Sequence, residues 1–538
     1  MTSDPPFPSA DRAPTRLRTR RFKSPRVQAL TLGGAVTVLT LLAAACGGGG
    51  GDGGSTAQVE AGSSGNVAAE AVIAGEFMST RPGAGIAAAR GNPQVVQGEN
   101  PCDSSAASEP IRIAYMGADL ASLDDAGLES LIIEEPGRVI EAYVNEVNFH
   151  GGIGGRCVEF HSYLWDLGNA TESITEVCVQ LPQQNVLFSF VLRADTNLLN
   201  CVTTAAQVPT IGLYASAPSA TFEAAGGRFY ADDGSTEYLL TSSVDIALQT
   251  GLLDMSEPVG LLHGAADQAT DPSTIEQTLR SSGLNLVSSA ISPASNLGVL
   301  VAEKQVRLLE SGLSEPEQAE AEMKLAALPP EVAAQLELVE AFFLDAAEKF
   351  KDSDVTAVVT TADWSDVRRF MRAAELVGWT PIWIINDIQP ATLTLTEAPE
   401  RQAGNLVSVS ARRAAGDAIP ELDRSCMSLR NTASDAPTFS HRHHTDAWSL
   451  LQATCDYLDV TFSAMTRAAQ ADGTLTRESF MAAMHQTSYD TEYGTLITFG
   501  EDNPYGWDRF RVLEADPACV LNHWGCMRST TDWLAPTG

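Results

Sequence analysis

Apolar and polar positions between residues 110 and 390 switch repeatedly between two periods. The run "IRIAYMG" (111–117) is a buried-strand pattern closed by glycine. Val139, Ile140, Tyr143, Val144 and Val147 then recur at helical spacing. "CVEFHSYLWD" predicts a second strand, "TESITEVCVQL" a helix, "NVLFSFVL" a third strand, "NLLNCVTTAAQ" a helix and "VPTIGLYA" a fourth strand. The alternation restarts with helix "EYLLTSSVDIALQTGLL", strand "PVGLLHG", helix "DPSTIEQTLRSSG" and strand "LNLVSSAI". It continues with "VTAVVTT", helix "SDVRRFMRAAELVG" and strand "TPIWIIND". Strands alternating with helices predict parallel sheets covered on both faces, so two such series predict an α/β protein of two lobes. The segment "RFYADDGSTEYLL" between them is where the chain is expected to cross. Residues 303–351 interrupt the second series. After Pro329-Pro330, a helix start, Val332, Leu336, Val339, Phe343, Ala346 and Phe350 keep helical spacing and predict an excursion packed on the lobe.

Four of the five residues 151–155, "GGIGG", are glycine. A phosphate cradle needs a strand before its glycines and a helix N-terminus after them. Here the helix comes first and the strand second, so the stretch is a helix-ending connector. No Walker-type sequence occurs elsewhere.

The first 45 residues read as an export signal rather than as fold. Arg16, Arg18, Arg20, Arg21, Lys23 and Arg26 precede the apolar run "VQALTLGGAVTVLTLLAAA". The run is nearly long enough for an uncleaved membrane span. Ala43-Ala44-Ala45-Cys46 resembles the lipobox of bacterial lipoproteins, with Ala43 where that family prefers leucine. The resemblance implies lipidation of Cys46 and a membrane partner reached through a lipid anchor. "GGGGGDGGSTAQVEAGSSG" follows as a flexible tether, within a tether region of 46–105.

Charge then narrows the function. Residues 1–45 hold seven of the 34 Lys+Arg and two of the 68 Asp+Glu, so the remainder carries 27 − 66 = −39. Phosphate backbones need cationic surfaces, which excludes a nucleic-acid partner. Eight cysteines besides Cys46 (Cys102, Cys157, Cys178, Cys201, Cys426, Cys455, Cys519 and Cys526) contain no CxxC pair and favour disulfides over metal. His441, His443 and His444 have no acidic or cysteine cluster beside them and read as a polar lead-in to a helix. No GxSxG, HExxH or SxxK nucleophile pattern points to an enzyme.

Asn148-Phe149-His150-Gly151-Gly152-Ile153-Gly154-Gly155-Arg156, with a strand ending in Asp166, resembles a segment of type I periplasmic binding proteins, most closely their branched-chain amino-acid branch. "QNVLFSFV", "VPTIGLYASAP", "RAAELVGWTPIWIIND" and "LTRESFMAAM…YGTLITFGEDNPYG" follow in the family's order, across roughly residues 110–515. The resemblance implies two Rossmann-like lobes with a ligand cleft between them. Lobe one would be 106–232 plus 410–490 and lobe two 233–409 plus 491–538. Three crossovers are expected near 231–235, 408–412 and 489–495. It implies no cofactor and no metal. The implied role is capture of a small polar ligand (an amino acid, an amide or a related carboxylate) and its delivery to the permease of an ABC importer. The same fold also serves ligand sensing at the cell envelope without transport.

The family's ligand positions carry over by spacing. Arg193 stands where a serine would be, and Ser216 stands at the threonine position with Tyr214 two residues earlier. Asp387 matches the acidic residue for the ammonium, and Asp363 with Trp364 matches a position whose aromatic ring covers the ligand. A guanidinium binds a carboxylate bidentately, so Arg193 implies an anionic group on the ligand unless it pairs with Asp195 or Asp166. In this topology the cysteines are expected to join as Cys102–Cys157, Cys178–Cys201, Cys426–Cys455 and, locally, Cys519–Cys526.

Overall fold

The structure, a computed structural model, describes residues 102, 109–119, 136–165, 170–192, 196–231, 233–264, 271–293, 297–310, 315–389, 391–414, 416–417, 428–429, 431, 445–472, 474–490, 496–500, 503–519 and 525–537. The leader, Cys46, Asp166, Arg193, Asp195, Cys426, His441, His443 and His444 lie outside these residues. No helix among them is long and apolar enough to cross a membrane.

The first sheet takes its strands from the first alternating series. It contains β1 (Ile111–Ala118), β2 (Val158–Trp165), β3 (Phe188–Leu192), β4 (Thr210–Leu213) and β5 (Phe229–Ala231), in the order β2-β1-β3-β4-β5. All its pairings are parallel. β3 and β4 are buried at every position, which is why they appear as unbroken apolar runs rather than as alternations. Helix α1 (Pro136–Phe149) turns Val139, Ile140, Tyr143, Val144 and Val147 into the core, the stripe seen in the sequence. α2 (Ala170–Gln180) and α3 (Ser219–Ala225) also belong to this lobe.

The glycine stretch is a connector between α1 and β2. Gly151, Gly152, Gly154 and Gly155 all have positive φ, and a Cβ on Gly152 would sit 2.0 Å from the Arg156 carbonyl oxygen. The Asn148 side chain holds the turn by accepting from the Val158 N–H and donating to its carbonyl, both at 2.8 Å.

The second sheet begins after α4 (Thr236–Gln249). Its parallel strands are β6 (Val259–His263), β7 (Leu286–Ile291), β8 (Ala357–Thr360), β9 (Ile382–Ile385) and β10 (Leu406–Ser410). Helices α5 (Pro272–Ser281), α6 (Leu297–Glu310), α7 (Glu315–Ala326), α8 (Pro330–Asp352), α9 (Trp364–Val377) and α10 (Ala391–Glu397) lie between them. The excursion is the α6–α8 unit, and it starts ahead of residue 303. Along α8, Leu336, Val339, Phe343, Ala346, Ala347 and Phe350 are buried. Phe350 meets Phe370 of α9 edge to face at 5.1 Å, and Phe370 meets Trp383 of β9 at 5.5 Å.

The second crossing falls within its expected span, and the third differs in position from expectation. Ser408 lies inside β10, so the second crossing starts only after Ser410 and leads toward α11 (Thr445–Asp472) and α12 (Arg477–Met484), which pack with lobe one. Beyond them come three short antiparallel strands, β11 (Ser488–Asp490), β12 (Leu496–Gly500) and β13 (Asn503–Trp507). Phe499 packs on Tyr230 of β5 and Tyr457 of α11, and β13 lies against β5, so these strands stay with lobe one. The third crossing is therefore between Trp507 and Arg511, not at 489–495. From there β14 (Arg511–Asp516) pairs antiparallel with β10, and β15 (Cys526–Ser529) pairs antiparallel with β14. The second sheet thus runs β15-β14-β10-β9-β8-β6-β7.

Disulfides join Cys102 to Cys157, Cys178 to Cys201 and Cys519 to Cys526, with Cα separations of 5.8, 5.8 and 5.5 Å. Cys455 is also disulfide-bonded.

Candidate functional site

Open parallel sheets bind ligands at the carboxyl ends of their strands. Three such ends meet in one small cavity of mixed lining, with Tyr214, Asp387, Thr392, Ser410, Arg412 and Arg413 on its polar side and Leu513 and Met527 among its apolar residues. Tyr214 follows β4 of lobe one, Asp387 follows β9 of lobe two, and Arg412 follows β10 on the second crossing. Tyr214 has φ 51°, a left-handed backbone unusual for a bulky residue and of the kind found at ligand clamps. Ser216, two residues on, is half-buried and does not line the cavity.

Arg412 ties the cavity together. Its guanidinium carbon lies 3.4 Å from the Tyr214 ring centroid, within cation–π range. One of its terminal amino groups donates to Asp233 on the first crossing, and Nε is 3.8 Å from Oδ1 of Asp387. Arg413 beside it pairs with Asp456 of α11 at 3.1 Å. Asp387 is itself held: it accepts from the Ser410 hydroxyl and, at 2.7 Å, from the Ala411 N–H. All five charged groups are buried, and burial strengthens each pairing.

The expected site residues thus divide. Tyr214 and Asp387 are brought together. Asp363 and Trp364 do not line the cavity, because they serve lobe two. Asp363 caps α9, accepting from Ser365 N–H at 2.8 Å and Asp366 N–H at 3.1 Å. Trp364 is buried under the Arg368 guanidinium, 4.9 Å from its ring. The residues missed by sequence reasoning are Arg412 and Asp233. The available signal was the Arg412-Arg413 doublet at a crossing of an acidic chain.

Behind Trp364 lies a second group of charges. Glu303 of α6 meets Arg368 at 2.9 Å, Arg369 at 3.0 Å and Arg372 at 2.6 Å. Arg369 also holds Asp366 at 2.6 Å. Burial, with the charge of Asp363 added, pushes the Asp366 carboxyl up to about 7, against the pull of Arg369 and of the Ser292 hydroxyl. At the end of β6, burial lowers the pKa of His263 despite Glu276 3.6 Å away. No cluster of three or more His, Cys, Asp or Glu among the described residues could hold a metal ion.

Against solved structures this architecture has many counterparts. A branched-chain amino-acid ABC transporter protein from Thermus thermophilus with bound valine superposes with TM-score 0.52 at 13% identity, over 80% of this chain and 97% of that one. A fatty-acid ABC transporter substrate-binding protein from Thermomonospora curvata gives 0.53 at 14% identity, over 80% and 94%. A solute-binding protein from Rhodopseudomonas palustris HaA2 in complex with p-hydroxybenzoic acid gives 0.53 at 12%, over 80% and 98%. The chain has the type I periplasmic binding protein fold. No family model and no curated protein matches it by sequence. The periplasmic binding protein fold accounts for both sheets, while identities this low leave the chemistry of the site to its own residues.

Proposed function

We propose that the protein is an extracytoplasmic solute-binding lipoprotein. It captures a small polar ligand (an amino acid, an amide or a related carboxylate) between its lobes and delivers it to an ABC importer. The observation that carries this reading is the meeting of Tyr214 from lobe one and Asp387 from lobe two in one small cavity beside the crossings. A group held there touches both lobes at once, so its binding favours the closed arrangement over the open one. Ser216 is close enough in sequence to Tyr214 to join the site on closure. Arg193 remains a candidate for an anionic end of the ligand, and Cys46 for the lipid anchor. Two of the solved structures named above are of substrate- or solute-binding proteins, and the third holds bound valine, which supports a binding role.

The test is a thermal-shift screen of amino acids, amides and small carboxylates, followed by calorimetry and X-ray scattering on the best ligand. A saturating ligand should reduce the radius of gyration. Binding with no compaction would count against capture by closure, and turnover of the ligand would overturn the reading of a binding protein.

A further inference from the structure

We propose that residues 530–537 form a brace on the hinge: they grip the third crossing and α4 together and so set how far the two lobes can open. This rests on the capture reading above for the purpose of the motion, and adds a device that regulates it.

The tail runs back along the start of β14 to the third crossing. Thr530 donates its N–H to the Val512 carbonyl at 2.9 Å, and the Thr531 hydroxyl accepts from the Val512 N–H at 3.0 Å. Leu534 and Phe510 then exchange both of their backbone hydrogen bonds, at 2.7 and 2.8 Å. Beyond this bridge the tail is tied to α4. Gln249 donates to the Ala535 carbonyl at 3.1 Å, and Thr537 donates its hydroxyl to Asp245 at 2.7 Å and its N–H to the same carboxylate. Helix α4 packs on β10 and β14, so the far end of the tail is anchored on the second sheet.

The other side of the crossing is held as well. Tyr238 in the first turn of α4 donates its hydroxyl to the Trp507 carbonyl at 3.0 Å; its ring stacks on Tyr505 at 5.0 Å and meets Phe510 at 5.9 Å. Gly234 of the first crossing lies so close that a Cβ there would be 3.0 Å from the Tyr238 ring and 3.3 Å from Tyr505. First and third crossings are thus packed against each other. Asp508 and Arg509, both exposed, are the stretch left between the Tyr238 grip on Trp507 and the Leu534 grip on Phe510. Hinges absorb rotation in a few residues, and openings wider than this short stretch can absorb must break the Phe510–Leu534 bridge. The restraint also reaches the cleft. Thr236, at the end of the first crossing, donates its N–H to the Ala217 carbonyl at 3.0 Å, on the loop that carries Tyr214. The brace therefore favours arrangements near the one in which Tyr214 and Asp387 line one cavity, and its loss favours wider opening.

The experiment uses the mature protein without ligand. Spin labels carried on non-canonical amino acids at Glu223 of lobe one and Glu400 of lobe two, both exposed, report the distance between lobes by pulsed electron resonance and leave the disulfides untouched. Ending the chain at Trp533 removes the bridge and the α4 contacts. The distance distribution should then broaden, with the extended population rising about tenfold, the order expected from losing two backbone hydrogen bonds. Asp245→Ala with Gln249→Ala loosens the far anchor alone and should give a smaller shift of the same sign. An unchanged or narrowed distribution in the shortened chain overturns the proposal; should that chain fail to fold, the Asp245→Ala, Gln249→Ala variant decides in the same way. If shortening broadens the distribution while no ligand of the screen compacts the protein, the brace stands and the capture reading falls. If a ligand compacts a protein whose distribution shortening leaves unchanged, capture stands and the brace falls.

Discussion

Replacing Glu303 by glutamine tests whether the helical excursion is fastened to lobe two by charge. Glu303 is on α6, and the three guanidinium groups around its carboxylate all come from α9, at 2.6 to 3.0 Å. Arg368 and Glu303 have side chains only 1% and 4% exposed, and Arg369 6%, whereas Arg372 is 26% exposed. Glutamine keeps the shape but removes the charge around which Arg368 and Arg369 are buried, with Asp366 and Asp363 among the carboxylates that remain near Arg369. Removing one member of a buried ion pair costs about 3–5 kcal/mol, because the remaining charge stays desolvated. Arg372→Ala should cost far less, on the order of 1 kcal/mol, since water screens a half-exposed partner. Urea unfolding followed by tryptophan fluorescence gives both values. Stability of Glu303→Gln within about 0.5 kcal/mol of wild type would refute the reasoning, since that is the range of substitutions away from such features.

Asp366 predicts a pH dependence of definite sign. Its carboxyl is raised from 3.8 to about 7 in the folded protein, so the folded state binds this proton more tightly than the unfolded state. The contribution is fully present below pH 3.8 and is lost as pH rises toward 7. At its steepest the loss is about 1.4 kcal/mol per pH unit. Asp366→Asn should remove this component, so that the difference in unfolding free energy between wild type and variant changes between pH 4 and 7 and is flat above it. A difference that does not vary with pH would show that Asp366 is ionised throughout. Separately, the proposed lipid anchor predicts that the protein partitions into the detergent phase on Triton X-114 phase separation and that Cys46→Ser moves it to the aqueous phase; unchanged partitioning would remove Cys46 as the anchor.

Much of the architecture was legible because burial imposes a simple code. β3, β4, β6 and β8 are buried along their whole length and could only be written as apolar runs. α1 and α8 each carry a stripe at helical spacing for the same reason. β10 was harder. Its "LVSVS" places Ser408 and Ser410 fully inside, so a central strand looked like part of a crossing. β14 and β15 are strands by virtue of their pairing with β10 and with each other, which is a long-range fact. The site shows the same limit. Tyr214 and Asp387 stand in recognisable motifs, but Arg412 acquires its role only by meeting Asp233, 179 residues away. Nothing local to Tyr214 announces its left-handed backbone, because tyrosine, unlike glycine, does not advertise one.

The antiparallel pair β14–β15 also decides how the second sheet ends. Without it, β10 would present an open row of backbone donors and acceptors, a ready template for a strand from another molecule. β14 takes up that row, and the new margin, β15, is only four residues long and carries Arg528 paired to Asp516 at 2.8 Å. Short, charged margins are poor seeds for self-association. The Cys519–Cys526 bond fastens this border by closing the loop between its two strands. Reduction of that one crosslink would then let the hairpin fray from the outside inward, opening the edge of β10 to neighbouring molecules and loosening the wall that Leu513 and Met527 give the cavity.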